Sequence, residues 1–181
     1  MKGPRALETE RLLLRKPTIR DAQAIFERYA GDPVVTRYMS WPTHRTVADT
    51  HAFLAWSEAG WELWPAGSFL IYSRNTNGLL LGGTGLTFRT PVVAVTGYVL
   101  AQDVWRQGFA TESLVAMVEL ARQTGVLRLE AVCHVEHRAS AHVLEKCGFR
   151  CEGVSAAHTE FPNLAPGTRC DVLSYSKRFD V

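Results

Sequence analysis

Three extended segments follow one another with no helix between them: Gly67 to Arg74, Leu79 to Phe88 and Val93 to Leu100, separated by Asn75-Thr76-Asn77-Gly78 and by Arg89 to Pro91. Connections this short join antiparallel neighbours, because a parallel return needs a dozen or more residues. The middle of the chain is therefore an antiparallel meander, and the flanking segments decide the class. Ahead of it, Thr9 to Lys16 reads as a first strand. Thr18 with Asp21 then resembles a weakened capping box opening a helix to about Ala30, and Thr46 with Asp49 opens a second that runs through Phe53, Leu54 and Trp56 to about Leu63. Behind it, Gly108 to Gln123 has helical spacing, with Ala110, Leu114, Val118 and Ala121 on one face. Arg128 to His134 reads as a strand, Ala139 to Cys147 as a short helix ended by Gly148, and two more strands follow near 150–160 and 169–179. The fold class is α/β in the mixed sense: a largely antiparallel sheet of about seven strands flanked by helices.

At 181 residues, with no repeat, low-complexity stretch or linker, the expectation is one domain over 1–181, large enough to bury a core without staples. A net charge of +2, with basic residues scattered, argues against nucleic acid as a partner. Leu12, Leu13 and Leu14 are flanked at once by Arg11 and Arg15, so no secretory core is present there, and no apolar run approaches the roughly 20 residues of a membrane helix. The chain reads as cytoplasmic, with no membrane partner. Cys133, Cys147, Cys151 and Cys170 form no CxxC pair and read as buried, reduced thiols, with no metal site.

The segment richest in chemistry runs from Gly97-Tyr98-Val99-Leu100 through Ala101 to Val104 and into Trp105-Arg106-Gln107-Gly108-Phe109-Ala110-Thr111-Glu112. A strand ends, a turn follows and a helix begins. The first four amides of a helix lack intrahelical partners and sit at the positive end of its dipole, so main chain alone can hold an anion there. Gly108 permits close approach and Arg106 adds a fixed positive charge, an arrangement suited to a pyrophosphate.

Val104 to Glu112 resembles the coenzyme A phosphate loop of the GNAT acetyltransferase superfamily, and within it the RimJ/RimL group of ribosomal-protein N-terminal acetyltransferases, which often carry Trp where Trp105 stands. Leu7 to Arg15, Gly97-Tyr98, and the stretch from Ala139-Ser140 to Glu152-Gly153 match in the same order. The resemblance implies a GNAT fold whose sheet splays between strands four and five, Val93 to Leu100 and Arg128 to His134. It implies acetyl-CoA as co-substrate, with pantetheine beside Val99, Leu100 and Ala101 and the pyrophosphate on the amides of Arg106, Gln107, Gly108, Phe109, Ala110 and Thr111. The family's Asn-x-x-Ser pattern places Ser140 near the sulfur as the acid, and puts His137 where Asn is usual, in contact with the cofactor. A hydroxyl near a helix start also satisfies backbone donors, the structural role open to Ser140.

Acyl transfer needs a neutral amine, a donor for the oxyanion and an acid for the thiolate. Many acetyltransferases place a carboxylate on the fourth strand, but Val93 to Thr96 contains none, which leaves Glu160 and His134 as candidate bases acting through water. An α-amine with a pKa near ~7.8 is roughly 10 to 15% neutral at pH 7, against about 0.04% for lysine near ~10.4. A base-poor site therefore favours α-amines, in line with an N-acetyltransferase acting on a ribosomal or other protein N-terminus, as a monomer or homodimer. A small-molecule amine acceptor, or a silent acyl-CoA-binding module, are the alternatives. Trp41, Trp56, Trp61 and Trp64 cluster about the second helix and read as core, and Phe161, Pro162 and Asn163 as a loop beside the acceptor opening.

Overall fold

The computed structural model describes residues 2–180. Eight strands form one sheet in the order β1-β2-β3-β4-β5-β6-β8-β7. They are β1 (Ala6–Glu8), β2 (Leu12–Arg15), β3 (Ser68–Ser73), β4 (Leu80–Thr90), β5 (Val93–Leu100), β6 (Arg128–His134), β7 (Arg150–Glu160) and β8 (Arg169–Arg178). Helix α1 (Ala22–Ile25) is entered by a 3-10 turn at Ile19–Asp21 and prolonged by a π turn at Phe26–Ala30; α2 (Pro33–Thr36) and α3 (Val47–Leu63) follow, then α4 (Phe109–Gln123) and α5 (Arg138–Lys146).

The sheet has one strand more than expected because Thr9 to Arg11 is a turn, with the Thr9 amide donating to Leu12 O (2.9 Å) and Thr9 Oγ1 accepting from Leu12 N (3.0 Å). The expected first strand is thus β2, and a short β1 precedes it. All neighbours are antiparallel except β5 and β6. Their parallel pairing covers only Val93–Val95 against Arg128–Glu130, so the sheet splays from Thr96 onward.

Apolar side chains fill both faces. Phe69, Ile71 and Leu81 point into a core with Leu114, Met117 and Leu120 of α4 and Leu144 of α5, whereas Leu70 and Leu80 meet Ile25, Tyr29 and Leu54 of α1 and α3. Burial on both sides explains why Phe69-Leu70-Ile71 is continuous rather than alternating. Both Asp residues expected at helix starts reach back: Asp21 Oδ2 accepts from Thr18 N (2.7 Å) and Asp49 Oδ2 from Thr46 N (2.9 Å). Asp21 also takes a forked pair from Arg15 (2.6 and 2.9 Å). Burial pushes its carboxyl up, but Arg15 and Thr18 outweigh that and hold it at about 2.

Two expectations about burial are corrected. Cys133 and Cys147 are buried, but Cys151 is exposed on β7, an edge strand left open along nearly its whole length, and Cys170 is half-buried at the start of β8. Among the tryptophans Trp61 is core, with its indole donating to Ser68 O (3.0 Å), while Trp56 lies on the outer side of α3 and is 58% exposed. No helix among the described residues is long and apolar enough to cross a membrane.

Candidate active site

The corner between β5 and α4 is built around two residues with positive φ, Arg106 (62°) and Gly108 (82°). This double reversal turns the chain from the strand end into the helix. The first helical bond runs from Glu112 N to Gly108 O (3.0 Å). Among the described residues no carbonyl or side chain accepts from the amides of Arg106, Gln107, Gly108, Phe109, Ala110 and Thr111. Six donors thus converge at the positive end of a 15-residue helix, with the exposed Arg106 side chain beside them.

What holds this loop comes from the far end of the sequence. Glu112 Oε1 accepts from Thr9 Oγ1 (2.5 Å) and Arg11 N (2.9 Å), and Oε2 from Arg11 Nε (2.7 Å). Arg11 continues to Gln107 O (2.9 Å) and lies over the Phe109 ring at 4.5 Å. Burial raises the Glu112 carboxyl, yet these donors win and its pKa is lowered. The β1–β2 turn is therefore a brace for the anion loop, a role the strand assignment hid. Thr9 and Arg11 lie within Leu7 to Arg15, one of the stretches that carry the family resemblance.

On β5 the Ala101 amide donates to Leu81 O (2.8 Å), which turns Ala101 and, by alternation, Val99 toward β4. Tyr98 and Leu100 accordingly turn their main chain toward the splay. Leu100 O is covered by the Trp105 indole N–H (2.8 Å), leaving its amide for a ligand. Of the three residues expected to offer backbone here, Leu100 faces the opening; Val99 and Ala101 spend theirs on β4, and Tyr98 takes their place.

Across the splay, α5 carries Ser140, whose Oγ lies 3.0 Å from the Tyr98 hydroxyl. Burial pushes the Tyr98 phenol up to about 12. His137, at the head of α5, stacks on Tyr38 at 4.6 Å, and its pKa is lowered by burial and by the neighbouring His134. His134, 8% exposed, packs against Tyr38 (5.3 Å) and edge-on to Phe161 (5.2 Å). Its Nδ1 accepts from Glu136 N (3.2 Å), so in its neutral form it carries the proton on Nε2 and presents a donor. Glu160 is exposed, and its Oε1 accepts from Gly167 N (2.9 Å), closing the β7–β8 loop. The one lone pair of a neutral His134 ring is thus engaged, and the Glu160 carboxylate is turned to the β7–β8 loop through Oε1.

The loop expected at Phe161 to Asn163 is tied down more firmly than its composition suggests. Asn163 accepts from Thr43 N (2.8 Å) and Thr43 Oγ1 (3.0 Å) and donates to Thr36 O (2.8 Å) and Trp41 O (2.9 Å). It thereby joins the β7–β8 loop to the segment after α2 that carries Tyr38.

An anion cradle at a helix start, a splayed strand pair beside it and a hydroxyl across the gap define an acyl-CoA-dependent transferase. Residues 11–150 match the model of the acetyltransferase (GNAT) domain, and the chain belongs to that family. It is an N-acetyltransferase with acetyl-CoA as its acetyl donor. A curated relative, the uncharacterized N-acetyltransferase YoaA of Bacillus subtilis (strain 168), is 31% identical over 151 residues, covering 82% of this chain and 84% of the relative. The fold is shared with RimL, a ribosomal L7/L12 alpha-N-protein acetyltransferase solved with coenzyme A (TM-score 0.82, 21% identity, 97% of this chain and 98% of that one). It is shared equally with the microcin C7 self immunity acetyltransferase MccE, solved with acetyl-CoA and AMP (TM-score 0.82, 19% identity, 94% of each chain).

Proposed function

We propose that this enzyme acetylates the α-amine of a peptide or protein N-terminus, by direct attack of an amine that is already neutral. The pyrophosphate of acetyl-CoA rests on the amides from Arg106 to Thr111, pantetheine pairs with the open side of β5 at Tyr98 and Leu100, and Ser140 faces the sulfur. The amine nitrogen forms the new C–N bond, the C–S bond breaks, and the sulfur leaves as a thiolate that accepts a hydrogen bond from Ser140. The ammonium proton passes to solvent or to the thiolate.

The observation that carries this reading is where the two candidate bases are directed: the one lone pair of a neutral His134, on Nδ1, accepts from the Glu136 amide, and the exposed Glu160 carboxylate is turned to the β7–β8 loop by the Gly167 amide. A site with no base turned toward the acceptor works on amines that supply their own neutral fraction, which at pH 7 is roughly 300 times larger for an α-amine than for lysine. His134 then serves as a donor near the reacting groups, and His137 as packing for Tyr38 at the edge of the cofactor site. The likeness to RimL, an alpha-N-protein acetyltransferase, supports the same acceptor.

The test is release of free coenzyme A from acetyl-CoA with peptides bearing free Ser or Ala N-termini, with N-terminally blocked lysine peptides, and with a panel of small amines. Turnover of the free-N-terminal peptides at least about 100-fold above the blocked ones is expected. Turnover confined to small amines would overturn the peptide acceptor and leave a metabolite or antibiotic amine in its place.

A further inference from the structure

We propose that Tyr98 is a positioning residue for acyl transfer, acting through Ser140: its hydroxyl turns the Ser140 hydroxyl off the helix and aims the Ser140 proton at the coenzyme A sulfur. The proposal rests on the reading that Ser140 faces that sulfur.

A serine or threonine hydroxyl inside a helix ordinarily bonds back to the carbonyl three or four residues earlier. Three of the described residues do so: Thr36 Oγ1 donates to Asp32 O (2.8 Å), Ser113 Oγ to Ala110 O (3.0 Å), and Thr124 Oγ1, just past the end of α4, to Leu120 O (2.8 Å). Ser140 does not. The carbonyl three residues before it, His137 O, already accepts from the amides of Ser140 (3.0 Å) and Ala141 (3.2 Å). Its hydroxyl is instead met at 3.0 Å by the Tyr98 hydroxyl, which also lies 3.4 Å from Ser140 O.

Tyr98 is well placed for this. It sits on β5 three residues beyond the last β5–β6 pair, where the strands have parted, and its ring packs into the core shared with α4 and α5. The phenol thus bridges the splay that receives pantetheine. A buried phenol pushed up to about 12 stays protonated at neutral pH and is a poor acid for a thiolate, but a constant donor. When it donates to Ser140 Oγ, the single Ser140 proton must find another acceptor. Ser140 is also within hydrogen-bonding reach of Cys133, a weak acceptor: burial outweighs that bond and pushes the thiol up to about 11, so it remains a neutral S–H. The departing thiolate is the strongest acceptor that arrives at this point, and the hydroxyl is already aimed.

The experiment is a double-mutant cycle of Tyr98→Phe and Ser140→Ala, read as kcat with the best amine acceptor and as acetyl-CoA affinity by calorimetry. Tyr98→Phe keeps the ring and is expected to lower kcat about tenfold, with acetyl-CoA affinity and melting temperature close to wild type. Ser140→Ala is expected to lower kcat about 100-fold. In the Ser140→Ala background Tyr98→Phe should cost less than about twofold, since its effect passes through the missing hydroxyl. The same tenfold loss in both backgrounds would make Tyr98 independent of Ser140 and overturn the proposal. So would wild-type turnover of Tyr98→Phe, or a loss matched by weakened acetyl-CoA binding. Wild-type turnover of Ser140→Ala would overturn the reading of Ser140 itself, and the proposal with it.

Discussion

Gly108→Glu is expected to weaken acetyl-CoA binding by at least about 100-fold in isothermal titration. Two effects add. The residue has φ of 82°, where a side chain costs roughly 1 kcal/mol or more, and a Cβ there would lie 3.2 Å from an Arg11 guanidinium nitrogen. That guanidinium holds Gln107 O and Glu112, so the intruding group disturbs the brace as well as the loop. The glutamate carboxylate also lands among the six open amides and competes with the pyrophosphate for them while repelling it. Gly108→Ala separates the two: it keeps the strain and drops the charge, and is expected to lose about tenfold. Unchanged affinity in Gly108→Glu would remove this loop from the cofactor site.

Gly82→Ala is expected to destabilise the protein by about 3 kcal/mol or more, lowering the melting temperature by roughly 6 to 12 °C for a chain of this size. A Cβ at Gly82 would meet Val99 O at 2.0 Å and both Leu100 Cα and Val99 C at 2.9 Å. All three are main-chain atoms of β5, so no side-chain rotation relieves the overlap, and β4 and β5 must separate. The displaced residues are those proposed to lie beside pantetheine, so acetyl-CoA affinity is expected to fall in the same variant. Gly97→Ala is the control in the same strand pair: nothing lies within 4 Å of its added Cβ, and a change under about 1 kcal/mol is expected. Equal melting temperatures for the two variants would contradict the close β4–β5 approach.

Most of the architecture was legible because hydrophobic pattern and turn chemistry agree locally. The Asn75-Thr76-Asn77-Gly78 turn separates β3 from β4, and the two Thr-x-x-Asp boxes open their helical segments at the expected residues. What escaped was set by contacts distant in sequence. Thr9-Glu10-Arg11 has no glycine, proline or asparagine to mark a turn; Thr9 closes it onto Leu12, and a carboxylate about a hundred residues away, Glu112, braces it. The exposure of Cys151 follows from β7 lying at the sheet edge, a fact of strand order rather than of pattern.

The candidate site divides the same way. The anion loop is legible because its chemistry lies in consecutive amides and one glycine. Of the β5 backbone expected to be open only Leu100 faces the splay, because which amides do so depends on the Ala101–Leu81 bond. Residue type and strand position point to Glu160 and His134 as bases, and neither reveals that each already accepts a backbone N–H. Gly97-Tyr98 carries part of the resemblance, but the partnership of Tyr98 with Ser140 depends on the approach of β5 to α5.

Attack by an amine that is neutral before it binds, with no proton taken by the enzyme, is tested most directly by kcat/KM against pH for two peptide acceptors whose α-amine pKa values differ by about one unit. Each profile should rise tenfold per pH unit and level off at that acceptor's own pKa, near ~7.8 for an ordinary N-terminus, with the inflection moving when the acceptor is changed. An inflection that stays at one pH for both acceptors would belong to a group on the enzyme, and would contradict a site that leaves deprotonation to its substrate.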